Sequence, residues 1–186
     1  MFVSSKTVRR VEQIHPTAAL TLVGSVGGAQ SFIRNLRAEV DRYEARRGRE
    51  ISISALTTLA GNFVHGGPFV AINPILSSVD PDQTTPDGSS ADGSTDDAHH
   101  VFTIDPAGGV MEDAYAATGS GMQLAYGVLE QEYREDLLND EATAIVARAV
   151  QSAVKRDTGS GNGVFLAEVT GDGVDIRGHT NFSEVP

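Results

Sequence analysis

The sequence predicts an α+β fold, a four-layer αββα sandwich in which two antiparallel sheets face each other and paired helices cover the outer faces. Two observations carry this. Hydrophobic period two and period 3.6 alternate in blocks, in the order strands, two helices, strands, two helices, strands. The helices also fall in adjacent pairs, as a layer that covers a sheet requires. With 186 residues, 40% of them apolar, the chain suits one domain over 1–186 and is too short for two of ordinary size.

The elements follow in order. Thr7 to His15 reads as a strand and Ala19 to Gly24 as a second, more buried one, with His15-Pro16-Thr17 as the turn. From Ala29 the period changes: Ala29, Phe32, Ile33, Leu36, Val40 and Tyr43 recur at steps of three and four, and the helix ends near Gly48. A second helix puts Ile53, Leu56, Leu59 and Phe63 on one face and stops at Gly66-Gly67-Pro68. Phe69 to Val79 is a strand in which Pro74 predicts an edge position or a bulge. Residues 80–98 are Asp, Ser, Thr, Gly, Gln and Pro with little apolar content, which predicts a disordered acidic insertion between two strands of one hairpin. Strand pattern resumes at His100 to Ile104, turns at Asp105-Pro106-Ala107-Gly108-Gly109, and gives one more short strand. Met122 to Tyr133 and Asp140 to Arg156 are the second helix pair, the latter acidic at its start and basic at its end, as the helix dipole favours. Val164 to Thr170 and Val174 to Arg177 close the chain as a hairpin about Gly171-Asp172-Gly173.

Composition excludes several functions. The formal net charge of −11 argues against nucleic acid or an anionic membrane as partner, because both require a basic face. The absence of cysteine excludes disulfides, thiolate metal sites and a cysteine nucleophile. There is no membrane span or signal peptide pattern, so a soluble, cytoplasmic protein is expected. Of the fourteen basic residues all but Lys6 and Lys155 are arginine. An acidic, lysine-poor surface suits a salt-loving cell, and a lysine retained against that bias suggests a need for an ammonium.

Four short segments carry polar groups on turns: Lys6, Gly24-Ser25-Val26-Gly27-Gly28, Thr118-Gly119-Ser120-Gly121, and Arg156-Asp157-Thr158-Gly159-Ser160-Gly161. Taken singly, each reads as a solvated lysine or a tight turn. The first glycine cluster lacks the G-x-G-x-x-G spacing and the Lys-Ser/Thr of a phosphate loop. Asp80, Asp82, Asp87, Asp92, Asp96 and Asp97 lack the calcium-loop pattern, and His99 and His100 on a strand point to opposite faces, so no metal site is expected. Gly119-Ser120-Gly121 is not the G-x-S-x-G elbow of a serine hydrolase.

Together these segments resemble something specific. FVSSKTVRRVEQIHP, LTLVGSVGGAQ with IRNLRAEVDRYEARRG, FTIDPAGG, ATGSGMQLAYGVLEQEY and AVKRDTGSGNG stand in the order and spacing of archaeal proteasome β subunits, which are N-terminal nucleophile hydrolases. The resemblance spans nearly the whole chain and implies the αββα fold. It places Lys6 on the catalytic lysine and Gly24 on the oxyanion-hole N–H. Ser120, Asp157 and Ser160 fall on the polar group around the N-terminal amine that serves as general base. Leu22 and Val26 fall near the wall of the primary specificity pocket, favouring cleavage after apolar residues. It further implies heptameric β rings stacked between α rings, ATP-dependent degradation of unfolded polypeptide, and no cofactor.

In the resembled family the mature chain opens with the nucleophilic threonine and a hairpin carrying a catalytic aspartate. This sequence begins Met1-Phe2 with neither, so the first hairpin of the fold and the nucleophile are expected to be missing and the chain inert as a peptidase. Thr7 cannot substitute, since the mechanism needs hydroxyl and free amine on one terminal residue. The alternative expectation is a non-catalytic structural or regulatory subunit of the ring.

Overall fold

The computed structural model describes residues 9–66, 69, 72–80, 98–160 and 163–185. The elements are β1 (Val11–His15), β2 (Ala18–Gly24), α1 (Val26–Arg47), α2 (Ile53–Gly66), β3 (Ile72–Asp80), β4 (Ala98–Ile104), β5 (Val110–Glu112), α3 (Met122–Glu132), α4 (Asn139–Arg156), β6 (Val164–Thr170) and β7 (Gly173–His179), followed by a 3-10 turn at Phe182–Glu184. The first five strands form one antiparallel sheet in chain order, and β6 and β7 pair as a second.

Alternation along the strands creates the layers. Ala18, Leu20 and Leu22 of β2 and Ile72 and Leu76 of β3 lie on one face, which Phe32, Ile33, Leu36 and Val40 of α1 and Ile53, Leu56, Ala60 and Val64 of α2 cover. The opposite face, with Ala19 and Val79 buried, receives β6, which lies against β1, β2 and β3. Beyond it α3 and α4 pack through Ala125, Leu129, Ile145 and Ala149, and α4 also rests on β6. The order of layers is thus α1/α2, large sheet, small sheet, α3/α4, the sandwich the periodicity predicts.

Boundaries differ from the sequence expectations for local reasons. Helix α1 starts three residues earlier than the apolar stripe, because Ser25 caps it by accepting the Gly28 N–H, and it ends where Gly48 turns left-handed (φ 64°) and donates to the Glu44 carbonyl. Pro74 corrects the expectation of an edge: it sits in the central strand, opposite Leu22. The Leu22 N–H donates to the Arg10 carbonyl, away from β3, so the position of the missing Pro74 N–H faces β4. The β3–β4 ladder has already finished there, at Ile75↔Thr103. Among the described residues the register irregularity of this sheet lies elsewhere, between Gln13 and His15 of β1. The reading of residues 80–98 as disordered falls, over 81–97, outside the described residues; Asp80 and Ala98 pair with each other, so the segment does join adjacent strands.

A Cβ at Gly61, buried in α2, would lie 2.9 Å from the Gly108 carbonyl oxygen, whereas one at Gly127, exposed on α3, would meet nothing within 4 Å. Gly61→Ala is expected to destabilise by about 1–3 kcal/mol through overpacking. Gly127→Ala should stabilise by about 0.5–1 kcal/mol through helix propensity. Denaturant midpoints moving in opposite directions would confirm this.

Candidate active site

The end of α4 and the turn before α3 build the polar centre. Helix α4 closes when the Asp157 N–H donates to the Ala153 carbonyl at 2.8 Å, after which the backbone of Asp157 is extended. The following Thr158-Gly159 turn brings Ser160 back, and its Oγ donates to Asp157 Oδ2 at 2.7 Å. Thirty-seven residues earlier in the chain, Ser120 Oγ donates to the same oxygen, also at 2.7 Å. Close approach makes this meeting possible: a Cβ at Gly121 would lie 2.7 Å from that of Ala153, so a side chain there would push the Ser120 turn off α4.

The same turn reaches the large sheet. Thr118 Oγ1 donates to the Asn73 carbonyl of β3 at 3.4 Å, and Gly119, with φ of 102°, stacks on the Val23 side chain of β2. Next to Val23 stands Gly24, whose φ of 112° lets β2 leave the sheet and turn at once into the Ser25 cap. The chain of contacts therefore runs Gly24, Val23, Gly119, Ser120, Asp157, Ser160, and ties the α1 N-terminus to the α4 C-terminus across the sandwich.

The electrostatics follow from the hydrogen bonds. The hydroxyls of Ser160 and Ser120, with the Gly159 N–H, hold the Asp157 carboxyl below its ordinary range, outweighing the opposing effect of desolvation. Both hydroxyl protons are committed to the carboxylate. The lone pairs of both Oγ atoms are thus free to accept, and an anionic centre flanked by two acceptors is suited to hold a protonated amine.

Of the residues singled out in the sequence, Ser120, Asp157 and Ser160 are brought into direct contact, and Gly24 is linked to them through Val23 and Gly119. Lys6 lies outside the described residues. Val26 is half-buried in the first turn of α1. Leu22 is 3% exposed and packs among the core residues beneath α1 and α2. Sequence reasoning passed over Arg10, an exposed cation whose carbonyl pairs with Leu22 two residues from Gly24. In the sequence Arg10 is one residue of the Thr7 to His15 strand pattern, and the hydrogen bond from the Leu22 N–H is what singles it out.

The chain matches the family described as proteasome subunit over residues 1–90 and 91–169. It is 65% identical to the proteasome subunit beta of Natrialba magadii over 184 residues, 99% of this chain and 70% of that protein. It is 63% identical to the proteasome subunit beta of Natronomonas pharaonis, over 99% of this chain and 71% of that one. Proteasome subunit beta 1 of Haloarcula marismortui is 61% identical over 99% and 70% respectively.

Because the Asp157 pKa is depressed, the charged cluster is complete above the ordinary carboxylate range and is lost as pH falls through the lower folded value. Ser160→Ala, which removes the largest cause, is expected to move the Asp157 titration back toward the ordinary carboxylate range. Carboxyl carbon NMR across the acid range checks it, and an unmoved titration would refute the hydroxyl as the cause.

Proposed function

The chain belongs to the proteasome subunit family, and from that premise we propose that it is a β-type subunit of a cytoplasmic 20S core particle, a ring member between α rings that acts on unfolded polypeptide. The observation that carries the reading is the Ser120–Asp157–Ser160 network, formed by residues that lie far apart in the chain.

The chemistry proposed is threonine-type peptide bond hydrolysis. A terminal amine rests against the Asp157 cluster and takes the proton from the hydroxyl of its own residue, so that the hydroxyl oxygen attacks the scissile carbonyl. The Gly24 N–H, at the bare turn after β2, stabilises the oxyanion that forms. A cation beside the hydroxyl favours its alkoxide-like form; the resemblance gives this part to Lys6, while the register brings Arg10 to the same end of β2. Leu22 beneath and Val26 at the helix start give an apolar floor and rim that favour apolar side chains before the cleaved bond. The chain's own part of this chemistry is the anionic amine seat and the oxyanion donor; the hydroxyl and amine must come from one terminal threonine.

The test is co-expression with α subunits in a high-salt host, native mass spectrometry of the particle, N-terminal peptide mass spectrometry of the mature subunit, and turnover of a fluorogenic peptide with an apolar residue before the scissile bond. Expected are a stacked-ring particle, a terminal threonine, and a loss of 100-fold or more in kcat for Asp157→Asn with assembly unchanged, by analogy with losses at other acyl-transfer sites. Comparing Lys6→Ala with Arg10→Ala decides between the two cations, since the one that serves the hydroxyl loses kcat and the other does not. Assembly without turnover in the unaltered protein would leave a structural ring member, and failure to assemble would overturn the proposal.

A further inference from the structure

At the end of the large sheet remote from Gly24, two polar side chains are buried without a protein partner among the described residues: His15 at Nε2 and Ser78 at Oγ. They are 9% and 3% exposed. Neither belongs to the site described above, and their positions are related. His15 stands opposite Ala18 on β2, and Ala18 stands opposite Ser78 on β3, so the three share one row and one face of the sheet.

That face is the one under the helices, and His15 reaches it through the irregularity in β1. The register steps from Gln13↔Ala19 to His15↔Ala18, so Ile14 is the extra residue of a β-bulge. Strict alternation would place Ile14 and its neighbour on opposite faces of the sheet, yet the register carries both to the same side, and both are buried. Ile14 enters the apolar cluster, and His15 is carried inward beside it.

The hydrogen bonds settle which ring nitrogen holds the proton. The backbone N–H of Thr17 donates to His15 Nδ1 at 3.3 Å, with the Thr17 hydroxyl also at 3.3 Å. A main-chain N–H has no acceptor role, so Nδ1 is unprotonated and the proton of the neutral ring is on Nε2. Nε2 is therefore a buried donor. The residue beyond Ala18 in the same row is Ser78, whose hydroxyl can both accept and donate. Two strand spacings, roughly 9.5 Å, separate the Cα atoms of His15 and Ser78, with only the methyl of Ala18 in the row between them.

We propose that His15 and Ser78 enclose a buried binding site for one water molecule, seated over Ala18, which accepts from His15 Nε2–H and bonds to Ser78 Oγ. A site of this kind answers two desolvated polar groups at once, and buried waters are commonly held by such otherwise unmatched groups. The charged groups around it are Glu44 of α1, Glu50 of the α1–α2 connection and Asp80 of β3, with His100 of β4 next in the row beyond Ser78. Glu44 is engaged elsewhere, accepting the Ile51 N–H at 3.0 Å, and His100 Nδ1 is held by Glu112 at 2.5 Å. Burial keeps the His15 ring below its ordinary titration range against the pull of the three carboxylates, which is consistent with a neutral ring that offers a single N–H to the water.

The experiment is a high-resolution crystal structure of the full chain at neutral pH, with a matching Ser78→Ala structure and ring nitrogen NMR of His15. Expected are one ordered water within hydrogen-bond distance of both atoms, its loss in Ser78→Ala, and nitrogen shifts of a neutral Nε2–H ring. A dry site, a direct His15–Ser78 bond, a protein side chain at Nε2, or an Nδ1–H ring would each overturn the proposal. The two measurements on the unaltered protein decide the matter even if the variant does not fold.

Discussion

Everything else in the molecule hangs on the pairing of β2 with β3. Seven consecutive antiparallel partners, from Ala18↔Ser78 to Gly24↔Ile72, join strands separated in sequence by both helices of the first layer. Since side chains alternate across a strand, that register decides at a stroke which residues meet α1 and α2 and which meet the small sheet. It also sets where β2 stops. A slip of β2 by one residue would set Leu20 and Leu22 on the opposite face from Leu76 and move Gly24 off its partner Ile72. The apolar face and the bare turn are thus consequences of one constraint.

The polar centre is arranged differently, because no single element contains it. A helix end provides Asp157, the turn after it provides Ser160, and a separate turn packed on both α4 and β2 provides Ser120. Small residues make these approaches possible, so the glycines around the site are better understood as spacers than as hinges. Among the described residues the carboxylate is satisfied by neutral hydroxyls and not by a salt bridge, which keeps its negative charge available to an incoming cation.

The sequence made the architecture legible because its helices are amphipathic and its strands alternate, so period alone separated the layers. Ser120, Asp157 and Ser160 were recognisable through the order of several short blocks, whereas any one Gly-Ser turn would have passed as ordinary. What escaped had no periodic signal. Pro74 suggested an edge because a missing N–H matters only relative to a neighbour, and where β4 stops cannot be read from β3. Arg10 is one residue of a strand pattern in the sequence, and only its pairing with Leu22 sets it apart. His15 was read as part of a turn, since a bulge shifts the inward face by one residue without leaving a mark in composition.

The hairpin that joins β3 to β4 has another implication. Asp80 and Ala98 are partners, so the chain between them leaves and rejoins the sheet at one point. Closing such a loop becomes harder only with the logarithm of its length, by about 0.6 kcal/mol for each doubling. The ladder from Asp80 back to Ile75 is already secured by β4, and the strand then runs on to Ile72, roughly 26 Å from Asp80 at the usual rise per residue. Length and composition at this connection are therefore nearly decoupled from the chemistry at the far end of the sheet. That makes it the natural place for drift between lineages, or for grafting a tag, to leave the working parts untouched.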